Sequence, residues 1–253
     1  MQETKNIILP KGATGELTIT RIPMQQTSKK RTKPIDLIIC IPGNNFSGKF
    51  MQSWTALMFY CVNNGINLEV LQMYSSNVYH VREAFLSQTV MSLTKNIKPF
   101  GGRRYDYSLW IDSDQVFTPD DLERLISHDV DIVAGAIKVG QGDEFAFGWF
   151  DDDTMHKKGE LMRMKANEID GRKALIDVDF CGFAFTLVKR GVFESLRFPY
   201  FEALPYSAWS PCKGYYGMAG EDLSTFYRMK QAGYKVWLDP RTRIPHEKAQ
   251  LIK

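Results

Sequence analysis

Short apolar runs alternate with segments of helical periodicity from residue 35 onward, and this alternation constrains the fold more than any other feature. Residues 35–41 are almost wholly apolar and end in Pro-Gly-Asn-Asn, which predicts a first buried strand. Residues 50–62 carry apolar side chains at helical spacing, and Asn-Asn-Gly stops that helix before a second strand at 66–74. The alternation predicts an α/β fold with a nucleotide-binding type of sheet.

The pattern continues clearly to about residue 140 and less clearly afterwards. It predicts a helix at 78–93, a strand at 107–111, a helix at 119–127 and a strand at 131–137. Residues 151–172 are charged and favour a flexible excursion or a small hairpin. The remaining predictions are strands at 174–180 and 183–188, a helix at 189–196, a covering loop at 198–217, a helix at 220–231 and a strand at 234–238.

Residues 1–33 stand apart from the alternating region. Two short apolar runs flank a Pro-Lys-Gly-Ala-Thr-Gly turn, which predicts a hairpin, and the basic residues at 29–33 predict a solvated linker. With 253 residues the chain is long enough for one large α/β core. We therefore expect an N-terminal extension at 1–33 and a single domain at 34–253.

Charge and cysteine content narrow the class of protein. A formal net charge of +3 suits an anionic small molecule but falls short of the basic stripe of a dedicated nucleic-acid binder. No apolar stretch approaches the roughly 18 residues of a membrane span, and the N-terminus lacks a signal-peptide pattern. The four cysteines show no CxxC spacing, and three lie in apolar stretches typical of buried free thiols. These features predict a cytoplasmic location.

Asp112-Ser113-Asp114 follows the predicted strand at 107–111 directly. Ligands of α/β sheets bind at the carboxyl ends of strands, so two carboxylates at this place indicate a binding site. Carboxylate oxygens are the ligands that Mg²⁺ and Mn²⁺ prefer, and such ions are usually shared with substrate phosphates. The alternative is a solvated acidic loop.

Glu221-Asp222 opens a predicted helix far from Asp112 in sequence. Acids in a first helical turn are stabilised by the helix dipole, which is the plain alternative to a catalytic role. The preceding residues 214–220 are rich in glycine, which permits close approach of a ligand. An acceptor hydroxyl needs a positioned carboxylate to take its proton. His246, after the last predicted strand, is either a metal ligand or a surface residue.

Taken in order, these pieces resemble a GT-A-type glycosyltransferase close to family 2. The resemblance rests on segments 41–45, 112–114, 181–185, 220–223 and 232–240 and on His246. It implies a GT-A fold, in which a Rossmann-like, nucleotide-binding mixed sheet is flanked by helices in a single domain.

The resemblance also implies roles for individual residues. Asp114 would bind Mn²⁺ or Mg²⁺ directly, Asp112 would bind the ion through water or hold the donor ribose, and His246 would complete the metal site. Asp222 would be the general base, and Glu221 would position the acceptor or the base. The nucleotide-sugar pocket would include Pro42, Asn44, Ser113, Tyr74 and Arg82.

Two of these assignments keep alternatives open. Family members often hold an acid near the end of the second strand, but residues 71–76 contain none, so the donor nucleotide is left open and Tyr74 could stack on the base instead. Arg82 could also be an ordinary surface arginine of its helix. An acceptor-binding wall is predicted from aromatic residues that suit sugar rings and nucleobases, and packing of a lid is the alternative role for part of this set: Trp149, Trp209, Tyr215 and Tyr216, with Tyr200, Phe201 and Tyr206 in the same loop region.

The function implied by the resemblance is metal-dependent, inverting transfer of a sugar from a nucleoside-diphosphate sugar to the hydroxyl of a glycan or small molecule. A modified nucleic-acid base as acceptor, a nucleotide-sugar-binding protein without turnover and a nucleotidyltransferase are the alternatives. The last normally shows a basic, glycine-rich phosphate loop, which residues 43–49 only faintly match.

Overall fold

The computed structural model describes residues 2–8, 14–20, 35–88, 92, 94–139, 142–158, 161–208 and 216–247, the first two segments through their backbone. The strands in these segments are β1 (Gln2–Ile8), β2 (Thr14–Thr20), β3 (Ile35–Pro42), β4 (Ile66–Met73), β5 (Tyr107–Ile111), β6 (Ile132–Ala136), β7 (Glu144–Trp149), β8 (Met162–Lys165), β9 (Ile176–Val178), β10 (Phe180–Cys181), β11 (Phe185–Lys189) and β12 (Val236–Arg243). The helices are α1 (Gly48–Asn63), α2 (Val78–Ser87), α3 (Pro119–Ser127), α4 (Asp152–Lys158), α5 (Ala166–Ile169) and α6 (Glu221–Gln231).

Seven strands form the central sheet in the order β4-β3-β5-β11-β6-β12-β9. β3 runs parallel to β4 and β5, and β12 runs parallel to β6. β11 is antiparallel to both of its neighbours, β5 and β6, and β9 is antiparallel to β12. The sheet is therefore mixed and flanked by helices, which confirms the predicted fold class.

Alternating side chains of the inner strands feed two separate core layers. Leu37, Ile39 and Ile41 of β3 pack on the face covered by α1 and α3, whereas Ile38 and Cys40 pack on the face covered by α2 and α6. Because both faces are buried, the strand reads as a continuous apolar run rather than as an alternating one. That is why the sequence shows it so clearly.

The helix predicted at 78–93 is too long. α2 ends at Ser87 because Gln88 adopts a left-handed backbone, with φ of 59°, and its N–H bonds to the carbonyl of Ala84. Glycine is the usual residue in this conformation, so a glutamine gives no stop signal in the sequence.

Two further predictions after residue 140 are wrong. The helix predicted at 189–196 is only a short 3₁₀ turn, Phe193–Ser195, in which the Glu194 carboxylate accepts the N–H of Gly191. The segment at 151–172, predicted as a flexible excursion or a small hairpin, holds α4, β8 and α5. β8 pairs with β7 in a three-stranded sheet ordered β10-β7-β8, and a Cβ on Gly148 would lie 1.9 Å from the carbonyl oxygen of Met162. A bare glycine thus permits this strand contact.

The loop predicted to cover a site over 198–217 starts as part of the core. Tyr200 and Phe201 are buried, and both of their main-chain N–H groups donate to Oε2 of Glu83, at 2.7 and 2.8 Å. These two aromatic residues therefore pack the fold rather than a lid. Residues 209–215, including Trp209 and Tyr215, lie outside the described residues.

At the N-terminus, β1 and β2 pair antiparallel from Gln2 opposite Thr20 to Ile8 opposite Thr14, so the hairpin is present. The basic run at 29–33 lies outside the described residues, and the division at residue 33 stays a prediction. Cys40, Cys61 and Cys181 are buried and form no disulfide, as expected. No helix in the described part of the chain has the length and apolarity to cross a bilayer.

Candidate active site

The candidate site lies where β3 and β5 end and where α6 begins. Asp112 follows β5, and its N–H donates to the carbonyl of Ala184 at 3.0 Å, which fixes the start of the acidic turn. Gly43 follows β3 with φ of 142°, and a Cβ there would lie 2.4 Å from Oγ of Ser113. The two strand ends can approach this closely only because residue 43 is glycine.

Arg82 of α2 is the charged centre of the site. Its side chain is only 6% exposed, and it forms ion pairs with Oδ1 of Asp112, at 3.0 Å, and with Oε1 of Glu221. The guanidinium carbon also lies 5.7 Å from the centre of the Phe183 ring. Burial alone would lower the pKa of Arg82, but the carboxylates of Asp112, Glu221 and Asp222 raise it above its ordinary value. Arg82 therefore stays charged and joins two acids that are far apart in sequence.

The first two residues of α6 sit in different surroundings. Glu221 is buried, and this burial raises the pKa of its carboxyl group, while Arg82 works in the opposite direction. Asp222 is half-buried, and its Oδ1 accepts the N–H of Leu223 at 2.7 Å. Within the described part of the chain, no cationic side chain lies at ion-pair distance from Asp222. Of the two acids, Asp222 is the one without an ion-pair partner among the described residues.

Tyr79 belongs to the same constellation, although the sequence analysis did not single it out. Burial raises the pKa of its phenol, and the nearby carboxylates of Glu221 and Asp222 raise it further, while a hydrogen bond from the Glu221 backbone lowers it. Tyr79 lies three residues before Arg82, so both occupy one side of α2. That helical spacing is the signal that could have found it.

Asp114 and His246 meet directly. Nε2 of His246 lies 2.7 Å from Oδ2 of Asp114, and Nε2 of Gln115 donates to the other carboxylate oxygen at 2.8 Å. The chain after β12 returns to this turn, because Gln115 and His246 form an antiparallel bridge and the N–H of Glu247 donates to the carbonyl of Asp114 at 2.8 Å. Backbone pairing thus places the tail histidine beside the acidic turn.

The donor atoms only partly fit the predicted metal site. Asp114 and His246 direct an oxygen and a nitrogen at each other, which are ligand types that suit Mn²⁺. Asp112 instead turns toward Arg82, and no group of three or more His, Cys, Asp or Glu side chains in the described segments is arranged to hold an ion. Two protein ligands suffice where substrate phosphates complete the coordination, as is usual for Mg²⁺.

A cleft of about 320 Å³ opens beside the acidic turn. Its walls include Asp112 and Asp114 and four of the five residues predicted for the nucleotide sugar, namely Pro42, Tyr74, Arg82 and Ser113. Asn44 is not on its wall, although its neighbour Gly43 is. Tyr74 is 56% exposed, so its ring is not part of the core. The cleft is of the size at which small-molecule sites begin.

The predicted acceptor residues are not brought together in the described part of the chain. The indole N–H of Trp149 donates to the carbonyl of Asp177 at 3.0 Å, where the small sheet meets β9. Tyr216 is 96% exposed and Trp209 and Tyr215 lie outside the described residues. The acceptor wall therefore stays a prediction.

Comparisons with known proteins found no matching family model and no matching curated protein. Among solved structures, the chain is similar to the A197 protein from STIV, with a TM-score of 0.47 and 16% identity over 87% of this chain and 97% of that one. It is also similar to GalNAc-T7, solved with UDP, GalNAc and Mn²⁺, with a TM-score of 0.47 and 10% identity over 85% of this chain and 44% of that one. At this identity the likeness concerns the path of the chain and not its chemistry.

Proposed function

We propose that this protein transfers a sugar from a nucleoside-diphosphate sugar to a hydroxyl acceptor. The observation that carries the proposal is the arrangement around Arg82, which joins Asp112 at the end of β5 to Glu221 at the start of α6. Asp114 lies in the same turn as Asp112, and Asp222 follows Glu221 in α6. A charged cluster with carboxylates from two segments of the chain suits a reaction in which one group leaves with negative charge and another loses a proton.

The donor would occupy the cleft beside the acidic turn. Arg82 lines this cleft and stays charged, so its guanidinium presents positive charge to a diphosphate bound there. Tyr74 offers an exposed ring on which a base can stack. Both features support a nucleoside diphosphate as the leaving group.

Proton transfer is assigned to Asp222. Glu221 is buried and tied to Arg82 by an ion pair, so its carboxylate is not free to contact an acceptor hydroxyl. Asp222 is half-buried, and no cationic side chain in the described segments forms an ion pair with it. We assign Asp222 as the general base and Glu221 as the residue that positions Arg82. Attack of the acceptor oxygen on the anomeric carbon, with departure of the diphosphate from the opposite face, inverts the configuration at that carbon.

Asp114 and His246 are the residues that would hold Mn²⁺ or Mg²⁺ together with diphosphate oxygens. When bound, the ion would act as a Lewis acid that neutralises charge on the departing diphosphate. Asp112 would contact the ribose or a metal-bound water from its place beside Arg82. Gln115 would keep the Asp114 carboxylate in its orientation, since it donates to that group at 2.8 Å.

The proposal is tested by thermal unfolding with UDP-, GDP-, dTDP- and CMP-sugars, with and without Mn²⁺. A ligand that binds the native state raises the unfolding temperature, and we expect this for at least one diphosphate sugar in the presence of Mn²⁺. The CMP-sugar is the control, because it lacks a diphosphate. Slow release of free sugar from the stabilising donor is expected to accompany binding. Stabilisation by no diphosphate sugar would refute the proposal.

One observation favours a second candidate, a nucleotide-sugar-binding protein without turnover. Both carboxylate oxygens of Asp114 already accept hydrogen bonds from protein groups, and Asp112 is paired with Arg82, so the acids are engaged without any ligand. This candidate would be favoured over the transferase if a donor stabilised the protein but no sugar was released from it. The measurement is made in the presence of each acceptor class, namely glycans, small molecules and modified nucleic-acid bases.

A further inference from the structure

A second cleft, of about 290 Å³, lies at the opposite edge of the central sheet. It opens where β5 begins and β11 ends, since Tyr107 and Lys189 are paired in register at that edge. Three cationic residues, Lys98, Arg103 and Arg190, stand on its wall with a single acid, Glu194. The acidic turn that follows β5 is at the other end of that strand, so the two clefts are separate sites.

The one acid of this cleft is engaged within the protein. The Glu194 carboxylate accepts the hydroxyl of Tyr105, at 2.9 and 3.1 Å to its two oxygens, and the N–H of Gly191 at 2.7 Å. Burial, together with the charge of Glu194, raises the pKa of Tyr105, so this hydroxyl stays a donor. Glu194 is thus held by two donors of the fold.

The cations are not balanced in the same way. Arg103 forms an ion pair with Glu69, and its Nε donates to the carbonyl of Phe100 at 2.8 Å, so its guanidinium is held in place. For Lys98 and Arg190, no carboxylate among the described residues lies within ion-pair distance. Two positive charges therefore line one concave surface with no ion-pairing acid among the described residues, which raises the local potential for anions.

The backbone of the cleft is shaped to hold Lys98 in position. The 3₁₀ turn Pro99–Gly102 has left-handed φ angles of 65° at Gly101 and 78° at Gly102. A Cβ on Gly102 would lie 3.3 Å from Cδ of Lys98, closer than nearly all such contacts, so glycine leaves room for the lysine stem. The hydroxyl of Tyr200 donates to the carbonyl of Ile97 at 2.6 Å, which fixes an apolar and aromatic floor below the cations.

We infer that this cleft binds a small phosphorylated molecule, with its phosphate between Lys98 and Arg190 and its body against Ile97, Leu196 and Tyr200. The guanidinium fork of arginine matches two phosphate oxygens, and the lysine adds a point charge. A concave surface with an apolar floor and a few directed polar groups is the usual form of a small-molecule site. The inference is independent of the proposed transferase activity, because none of these residues belongs to the candidate active site.

The test is calorimetric titration of the full chain with inorganic phosphate and with phenyl phosphate, whose ring can reach the apolar floor. Both probes are expected to bind, phenyl phosphate more tightly. Arg190→Gln and Lys98→Gln are each expected to weaken binding by about fivefold or more, because each removes a charge-assisted hydrogen bond to the phosphate. Arg190→Lys keeps the charge but loses the fork, so it is expected to fall between wild type and Arg190→Gln.

Lys173→Gln is the matched control. Lys173 is exposed, is not on the wall of this cleft and has no ion-pair partner in the described part of the chain. Lys173→Gln removes one positive charge, as Lys98→Gln and Arg190→Gln do, but away from the cleft. Its affinity for both probes is expected to equal that of the wild type. Absence of binding at millimolar phosphate would overturn the inference. So would unchanged binding by the Lys98→Gln/Arg190→Gln variant, or an equal loss in Lys173→Gln, which would indicate unspecific attraction by net charge.

Discussion

The two edges of the central sheet each carry cationic side chains, but they hold them in opposite ways. At the carboxyl edge, where β3 and β5 end, Arg82 is 6% exposed and is paired with Asp112 and Glu221. At the amino edge, where β5 begins, Lys98 and Arg190 are exposed on the wall of the second cleft, and neither has an acidic ion-pair partner among the described residues. A buried charge has to be neutralised by the protein itself, whereas an exposed one is neutralised by water, salt or a ligand. We therefore expect substitution of the buried Arg82 to affect folding, and substitution of Lys98 or Arg190 to affect binding alone.

The largest expected effect is that of Arg82→Gln on stability. Removal of the guanidinium leaves Glu221 buried without its cation, and breaking a buried ion pair in this way costs about 3–5 kcal/mol. The measurement is the free energy of unfolding in urea. Arg82→Gln/Glu221→Gln is expected to recover part of the loss, because no unpaired charge then remains between the two positions.

Arg190→Gln is the control for this prediction. It removes the same chemical group from an exposed position, so the free energy of unfolding is expected to stay within the error of the measurement. If Arg82→Gln and Arg190→Gln proved equally mild, the contrast between the two edges would be wrong.

Asp222→Asn tests the chemistry of the carboxyl edge. Loss of a general base is expected to lower turnover by about 10²-fold or more, with binding of the donor unchanged. Asp120→Asn is the matched control, because Asp120 is also the second residue of a helix, α3, and its charge also favours the helix dipole. Steady-state rates and donor affinity for both variants separate the two roles. Full activity of Asp222→Asn together with an inactive Glu221→Gln would reassign the base.

Asp114→Asn is expected to have a smaller effect, on ion affinity rather than on the fold. The amide retains an acceptor for Gln115 but removes the negative charge, so binding of Mn²⁺ should weaken by about tenfold or more. Titration of Mn²⁺ in the presence of the stabilising donor measures this. Unaltered affinity for Mn²⁺ in the variant would remove Asp114 from the metal site.

Glu83 lies between the two edges and gives the smallest effect, which depends on pH. Burial raises the pKa of Glu83, although N–H groups of Phe201 and Tyr200 lower it in part. A carboxyl group whose folded pKa lies above the unfolded value of about 4.3 stabilises the fold fully only below that pH, and this contribution is lost as pH rises through the folded pKa. In Glu83→Gln the amide oxygen still accepts both N–H groups but does not titrate.

The measurement is the free energy of unfolding of wild type and Glu83→Gln from about pH 4 to pH 7. The difference between the two proteins is expected to shift in favour of the variant as pH rises, since only the wild type loses this contribution. Carboxyl groups that both proteins share cancel in the difference. Parallel curves would show that Glu83 keeps an ordinary pKa.

The sequence predicts best those elements whose signals are local. β5 is buried at all five positions, with aromatic or aliphatic side chains at every one except Ser108, and both of its ends are predicted correctly. α3 starts at Pro119, with Asp121 accepting the N–H of Thr118 at 2.8 Å, and this capping pattern is visible in the sequence. The end of α2 is set by a left-handed glutamine, and the fold of residues 151–172 by pairing with β7, so neither leaves a local signal.

The same limit applies to the candidate site. Asp112 and Asp114 are predicted from their place after a strand, and His246 from a resemblance that the backbone pairing with Gln115 makes geometrically possible. What the sequence does not show is that Arg82 takes Asp112 as a partner. An ion pair depends on which side chains face each other across the finished fold, and no spacing rule encodes that between a helix and a distant loop.

The ion pairs of Arg82 have a consequence for how the protein matures. Its two acidic partners lie 30 and 139 positions away along the chain, so the positive charge on the cleft wall is fully paired within the protein only once α6 has docked against α2. A nascent or truncated polypeptide that stops before residue 221 leaves Arg82 without Glu221. The charge balance of the cleft is in this sense set late in folding.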